Sequence, residues 1–167
     1  VFFVALKKAK LFWKRGDCVK KIIAVPYDDK IDYYTFVKEN HDSGFRQVIV
    51  TSEAMIWLIQ KIIIGKFRIS EIEMAEDDDD LNQEISALLN LVKQNPVFLT
   101  ELVSKLEFLA EKSSIEIQRI GFLGRTENGI AVQGFIQSNG LLGVSYNVAD
   151  KAFDAIGTEV GRCVFGC

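Results

Sequence analysis

Residues 76–112 read EDDDDLNQEISALLNLVKQNPVFLTELVSKLEFLAEK, and the rest of the chain is arranged around them. After the acidic run Glu76–Asp80, Leu81, Ile85, Leu88, Leu89 and Val92 recur at helical spacing. Leu99, Leu102, Val103, Leu106, Leu109 and Ala110 do so again, so each half predicts a helix with one apolar stripe. Asp80 with Gln83 reads as a capping box, and the carboxylates before it suit the positive end of a helix dipole. Pro96 lacks an amide hydrogen and clashes with the preceding turn, so the pattern restarts there, with Asn95 as a cap.

Upstream of this pair the chain alternates. Ile22-Ile23-Ala24-Val25 is a short apolar run that predicts a strand buried on both faces and ended by Pro26. Asp28 or Asp29 caps an expected helix with Ile31, Tyr34 and Val37 inward, closed by a turn at His41–Gly44. Val48-Ile49-Val50 predicts a second buried strand. Thr51 or Ser52 starts a helix that is apolar on most of its circumference from Met55 to Ile63, with Gly65 at its end. Phe67 to Met74 predicts a third strand with a bulge near Ser70–Glu71. Strand, helix, strand, helix, strand is the pattern of a parallel βαβαβ unit.

Downstream the period changes to two. Ile115 to Leu123, Ile130 to Ile136 and Leu142 to Val148 predict three strands, turned at Thr126–Gly129 and Ser138–Gly140, and Asn-Gly is a strong hairpin signal. Asp150 opens a last helix with Phe153, Ile156 and Val160 inward. The fold expected is a mixed α/β domain over residues 19–167: the parallel unit, the helical pair, a three-strand antiparallel meander and a C-terminal helix.

Residues 1–18 stand apart. They mix Phe2, Phe3, Leu6, Leu11, Phe12 and Trp13 with Lys7, Lys8, Lys10, Lys14 and Arg15. Three readings fit this composition: a first helix packed on the body, a leader preceding the natural beginning at Val19, or a basic amphipathic helix on a membrane surface. Membrane contact is expected only there, because no apolar run approaches the roughly 18 residues that span a bilayer.

The formal net charge of -3 hides an uneven distribution. Residues 1–21 carry seven basic side chains and one acidic one, leaving an acidic body without the basic footprint of a nucleic-acid binder. Three cysteines, Cys18, Cys163 and Cys167, make no disulfide framework and suit a reducing, cytoplasmic setting.

Carboxylates form the main candidate site. Ligands of open parallel sheets bind beyond the carboxyl ends of the strands. Asp28 and Asp29 follow the first expected strand, Glu53 the second, and Glu76–Asp80 the third. If those strands are adjacent, Asp28, Asp29 and Asp77 gather oxygens suited to Mg²⁺ or Mn²⁺, as in phosphoryl transfer or phosphodiester hydrolysis. Over residues 20–80 this arrangement distantly resembles a response-regulator receiver domain, which implies an acidic pair after the first strand and a phosphoacceptor Asp after the third. The later Thr/Ser and Lys of that family have no counterpart here. Helix capping accounts for the same carboxylates without a metal.

Other motifs carry less. His41, Asp42 and Ser43 are neighbours on a turn and do not converge as a triad does. Gly121-Phe122-Leu123-Gly124 with Arg125 is faintly similar to the loop of an RNA-binding KH domain, but it lies among strand signals. No dinucleotide or Walker loop occurs. The leading expectation is therefore a non-catalytic interaction or regulatory protein that needs no cofactor. It would bind a protein partner or a second copy of itself through apolar helical surface, above all Ala54–Ile64. The alternative is the metal-dependent enzyme or receiver-like phosphoacceptor.

Overall fold

Residues 8–15 read Lys-Ala-Lys-Leu-Phe-Trp-Lys-Arg, and their alternation decides the sheet. In a computed structural model, which describes residues 5–15 and 20–166, they belong to strand β1 (Leu6–Arg15). Ala9 and Leu11 are buried in the main core and Trp13 packs against it, while Lys8, Lys10, Phe12 and Lys14 take the opposite face by the period of two. This corrects the helical reading of the basic segment. Phe2, Phe3, Cys18, Val19 and Cys167 lie outside the described residues.

β1 is an inner strand. It pairs antiparallel with β2 (Lys20–Tyr27) on one side. On the other it pairs with β7 (Leu141–Ser145) and with the two-residue β3 (Arg46–Gln47). The main path across the seven-stranded sheet is β2-β1-β7-β6-β5-β4, with β6 spanning Ala131–Gln137, β5 Ile117–Arg125 and β4 Arg68–Met74. Among the described residues every pairing is antiparallel. The three-strand meander is present, joined to β1 at one end and β4 at the other.

The parallel βαβαβ unit is therefore overturned. β2 and β4 occupy opposite edges of the sheet, and Val48–Val50, read as the strand between them, forms no ladder. Only single bonds tie it down, from Val48 N to Leu11 O and from Val50 N to Ser138 O. The helical pair accounts for the antiparallel neighbour, β5, that β4 takes instead. α3 (Asp79–Gln94) carries the chain away from β4, and α4 (Leu99–Lys112) reverses it before β5. One crossover helix returns a chain for a parallel pairing; two helices in sequence return it for an antiparallel one. Pro26 does not end β2 but pairs with Ala9, which an edge strand tolerates because one side needs no amide donor.

Helix caps follow local chemistry. α1 (Tyr33–Asp42) starts at Asp32, whose carboxylate accepts from Thr35 N, rather than at Asp28 or Asp29. Phe36 is its buried residue, while Tyr34 is exposed. α2 (Ser52–Ile64) is capped by Thr51, and α3 by Asp78 rather than Asp80. Asn95 accepts from Val97 N and opens the 3-10 turn that carries Pro96. The left-handed residue after α2 is Lys66, at φ 67°, not Gly65. The bulge expected in β4 lies between Ile69 and Glu71.

α2, α3, α4 and α5 (Ala149–Phe165) build one helical layer on the core face of the sheet, with α2 touching α4, α5, β4 and β5. Its apolar circumference is explained by that central position: Met55, Ile56, Leu58 and Ile59 are all buried. Trp57 and Ile64 stay exposed. α1 covers β1 and β2 from the other face, where Phe36 meets the rings of Phe12 and Tyr27. Among the described residues no helix is long and apolar enough to cross a membrane.

Candidate functional site

The strand glycines prepare the site. Phe122 on β5 pairs with Gly134 on β6, and its ring lies over that glycine. A Cβ at residue 134 would stand 2.5 Å from Phe122 Cζ and 2.6 Å from the carbonyl oxygen of Gly143. Only glycine lets the ring lie down on the sheet there. Phe122 and Val132 then floor a groove between α2 and α5, walled by Leu58 and Ile62 on one side and Ala152, Ala155 and Ile156 on the other. The small side chains of Ala152 and Ala155 on α5 leave the space over that floor unfilled. The groove encloses about 510 Å³, within the usual range for binding sites.

Its rim is charged. Lys61 and Lys151 stand on opposite sides, with Glu159 beside them. Glu159 is already engaged: one oxygen accepts from Trp57 Nε1 at 2.7 Å and the other from Arg162 Nη1 at 3.0 Å. The Lys61 ammonium lies 4.7 Å from the centroid of the Trp57 ring, a cation–π contact that fixes it at the mouth. With the carboxylate neutralised and both lysines at the opening, the groove favours an apolar ligand bearing negative charge.

The sequence-derived carboxylates are dispersed. Asp28 and Asp29 follow β2 and Asp77 follows β4, so the two groups sit beyond opposite edge strands with four strands between them. Asp28 accepts from Lys30 N at 3.0 Å, and both oxygens of Asp29 accept from Lys8 Nζ, at 2.7 and 2.9 Å. Asp77 lies exposed in the turn before α3. Among the described residues no group of three or more His, Cys, Asp or Glu side chains gathers where a metal ion could be held. The receiver-like arrangement falls with the parallel sheet on which it depended.

His41 and Asp42 close α1, and Ser43 Oγ donates back to Glu39 O at 3.1 Å, so these residues form a helix end and not a triad. Gly121 and Gly124 lie within β5, where a Cβ would meet Glu71 and Phe67, and not in a loop. Burial, followed by the charge of Glu53, pushes the Cys163 thiol up, away from the reactive thiolate.

Lys10 escaped the sequence reading because its neighbours made it one of many basic residues. It is fully buried on the α1 face of β1 and donates to the main-chain oxygen of Asn139. The rings of Phe12 and Tyr33 each lie with their centroid 5.6 Å from its ammonium. Burial lowers its pKa to about 8 and raises that of Tyr33, with Tyr27 and Tyr34 adding to the latter. The alternation of Lys8, Lys10 and Lys14 against Ala9, Leu11 and Trp13 is the signal that identifies it. No family model, curated protein or solved structure matches the chain.

Proposed function

We propose that this is a non-catalytic interaction protein that docks an acidic, amphipathic helical segment of a partner protein in the groove between α2 and α5. The observation that carries the reading is the pairing of an apolar floor, Phe122 and Val132, with two lysines at the mouth, where the lining carboxylate Glu159 is already bonded. A helix laid in an apolar groove presents side chains at i, i+3, i+4 and i+7, and acidic residues beside that stripe would meet Lys61 and Lys151. Charge at the rim contributes to encounter and orientation more than to affinity, which comes from the buried apolar contacts. Three cysteines and no disulfide framework favour the cytoplasm as its location.

The test uses a synthetic helical peptide with leucines at those positions flanked by glutamates, and a second peptide with lysines in place of the glutamates. Fluorescence anisotropy should give saturable binding of the acidic peptide alone, weakened about tenfold by Ala155→Glu, a cost of roughly 1.4 kcal/mol. Ala155 is exposed on α5, so the substitution tests the groove without emptying the core. Equal binding of both peptides, or no effect of Ala155→Glu, contradicts the proposal. So does sedimentation showing a dimer that Ala155→Glu dissociates, since a second copy would then be the occupant.

A further inference from the structure

A second pocket lies beside the face of the sheet turned away from the helical layer. Ile69, Phe122, Val132 and Val144 belong to the core, so their neighbours Arg68, Leu123, Gln133 and Ser145 point the other way. These four form a rung: Arg68 pairs with Leu123, Leu123 with Gln133, and Gln133 exchanges hydrogen bonds of 2.9 and 3.1 Å with the Ser145 hydroxyl. Arg125, two residues beyond Leu123, shares that face and stands diagonal to Arg68. Its guanidinium donates to Gly129 O at 3.0 Å, which holds it in place. Lys66 enters from the turn after α2, at its left-handed φ of 67°. Together they line a cavity of about 470 Å³ that, among the described residues, no carboxylate lines.

Like charges at neighbouring cross-strand positions destabilise a sheet unless something answers them. Elsewhere on this face the chain does so: Arg119 pairs with Glu71 at 3.2 Å and stacks 4.1 Å from the centroid of Phe135. Among the described residues none of the ion pairs involves Lys66, Arg68 or Arg125. An otherwise acidic body has thus concentrated three unanswered cations in one concave place. Lys66 also accepts a left-handed backbone conformation that costs a non-glycine residue energy.

We propose that this pocket binds a phosphate-bearing small molecule. Guanidinium forks match phosphate oxygens in pairs, the lysine adds a point charge, and Leu123 and Ala131 offer apolar surface to the rest of the ligand. A free molecule fits better than a nucleic-acid strand, because the surrounding acidic surface repels a long polyanion while a compact one reaches only the pocket.

Isothermal titration calorimetry with inorganic pyrophosphate tests this directly, with a single-stranded oligonucleotide as a separate arm. The expected result is saturable pyrophosphate binding, weakened about tenfold or more by Arg68→Gln or Arg125→Gln and unchanged by Lys93→Gln on α3. All three sites are exposed, so melting temperatures should stay level and separate lost binding from lost fold. Lys66→Gly should weaken binding while raising the melting temperature, which a purely structural role would not produce. Absence of saturable pyrophosphate binding overturns the proposal, as does equal weakening in Lys93→Gln. Oligonucleotide binding that pyrophosphate does not displace overturns it too.

Discussion

Lys10 Nζ donates to the main-chain oxygen of Asn139, fastening β1 to the turn between β6 and β7 through a side chain with no exposed surface. The bond joins residues 129 positions apart in the sequence. It satisfies the carbonyl at the cost of holding an ammonium among Phe12, Tyr33 and the sheet.

That cost gives stability a specific pH dependence. The folded pKa is about 8, against roughly 10.4 in an unfolded chain. Below pH 8 both states keep the proton and the penalty is present in full. Between about 8 and 10.4 the unfolded chain binds a proton the folded one has released, so stability rises with pH. Denaturant titrations should show a gain of about 1–3 kcal/mol across that window relative to Lys10→Met. Tyr33 acts oppositely above about pH 10, where the unfolded phenol ionises first and stability falls again. Parallel pH curves for the two proteins between 8 and 10 would contradict this account.

Removing residues 1–18 should abolish folding. β1 lies between β2 and β7, and Leu11 and Phe12 have no exposed surface. Their loss opens two facing strand edges and both layers of core. A chain beginning at Val19 is expected to show no cooperative melt by circular dichroism; a melt within about 10 °C of the full chain's, equivalent to a few kcal/mol, would refute the inner-strand role.

Ser52 should matter more than its size suggests. Buried at the start of α2, its hydroxyl donates to Glu116 and accepts from Ile117 N at 2.9 Å. Ser52→Ala leaves that buried amide without a partner, at a cost of about 1–3 kcal/mol. Chemical denaturation measures it, and a change below about 0.5 kcal/mol would place the amide elsewhere.

How far the sequence discloses this fold depends on where each element gets its signal. α2, α3, α4 and α5 are legible because their apolar residues keep helical spacing, and the β5–β6–β7 meander because Asn-Gly and Asn139-Gly140 mark its turns. β1 was hidden by its lysines, of which Lys8, Lys10 and Lys14 alternate with Ala9, Leu11 and Trp13 and lie on the face that α1 covers. Strand direction was hidden too. Whether β4 joins a parallel or antiparallel neighbour depends on two helices reversing the chain, and no residue of β4 reports that. The groove is a tertiary feature: Leu58 and Ile62 face Ala152 and Ala155 across it only after the sheet has brought α2 beside α5. Asp28, Asp29 and Asp77 read as a cluster only under the wrong strand order.

The groove's floor offers its own check. Gly134→Ala places a methyl against Phe122 and the carbonyl oxygen of Gly143, and the backbone atom cannot move aside cheaply. The expected outcome is a loss of about 1–3 kcal/mol together with weaker binding of the acidic peptide, since the ring is lifted into the groove. Unchanged stability would mean that the ring does not lie where Gly134 permits it.

The central claim is that α2 and α5, and not the helical pair, carry the interaction surface. Leu91, Val97 and Phe108 are exposed on that pair and its connecting turn, and they are the competing apolar surface. Backbone amide chemical-shift mapping during titration with the acidic amphipathic peptide separates the two. The account predicts shifts centred on Leu58, Lys61, Ile62, Ala152, Ala155 and Ile156. Shifts centred on Leu91, Val97 and Phe108, or none at saturating peptide, would contradict it.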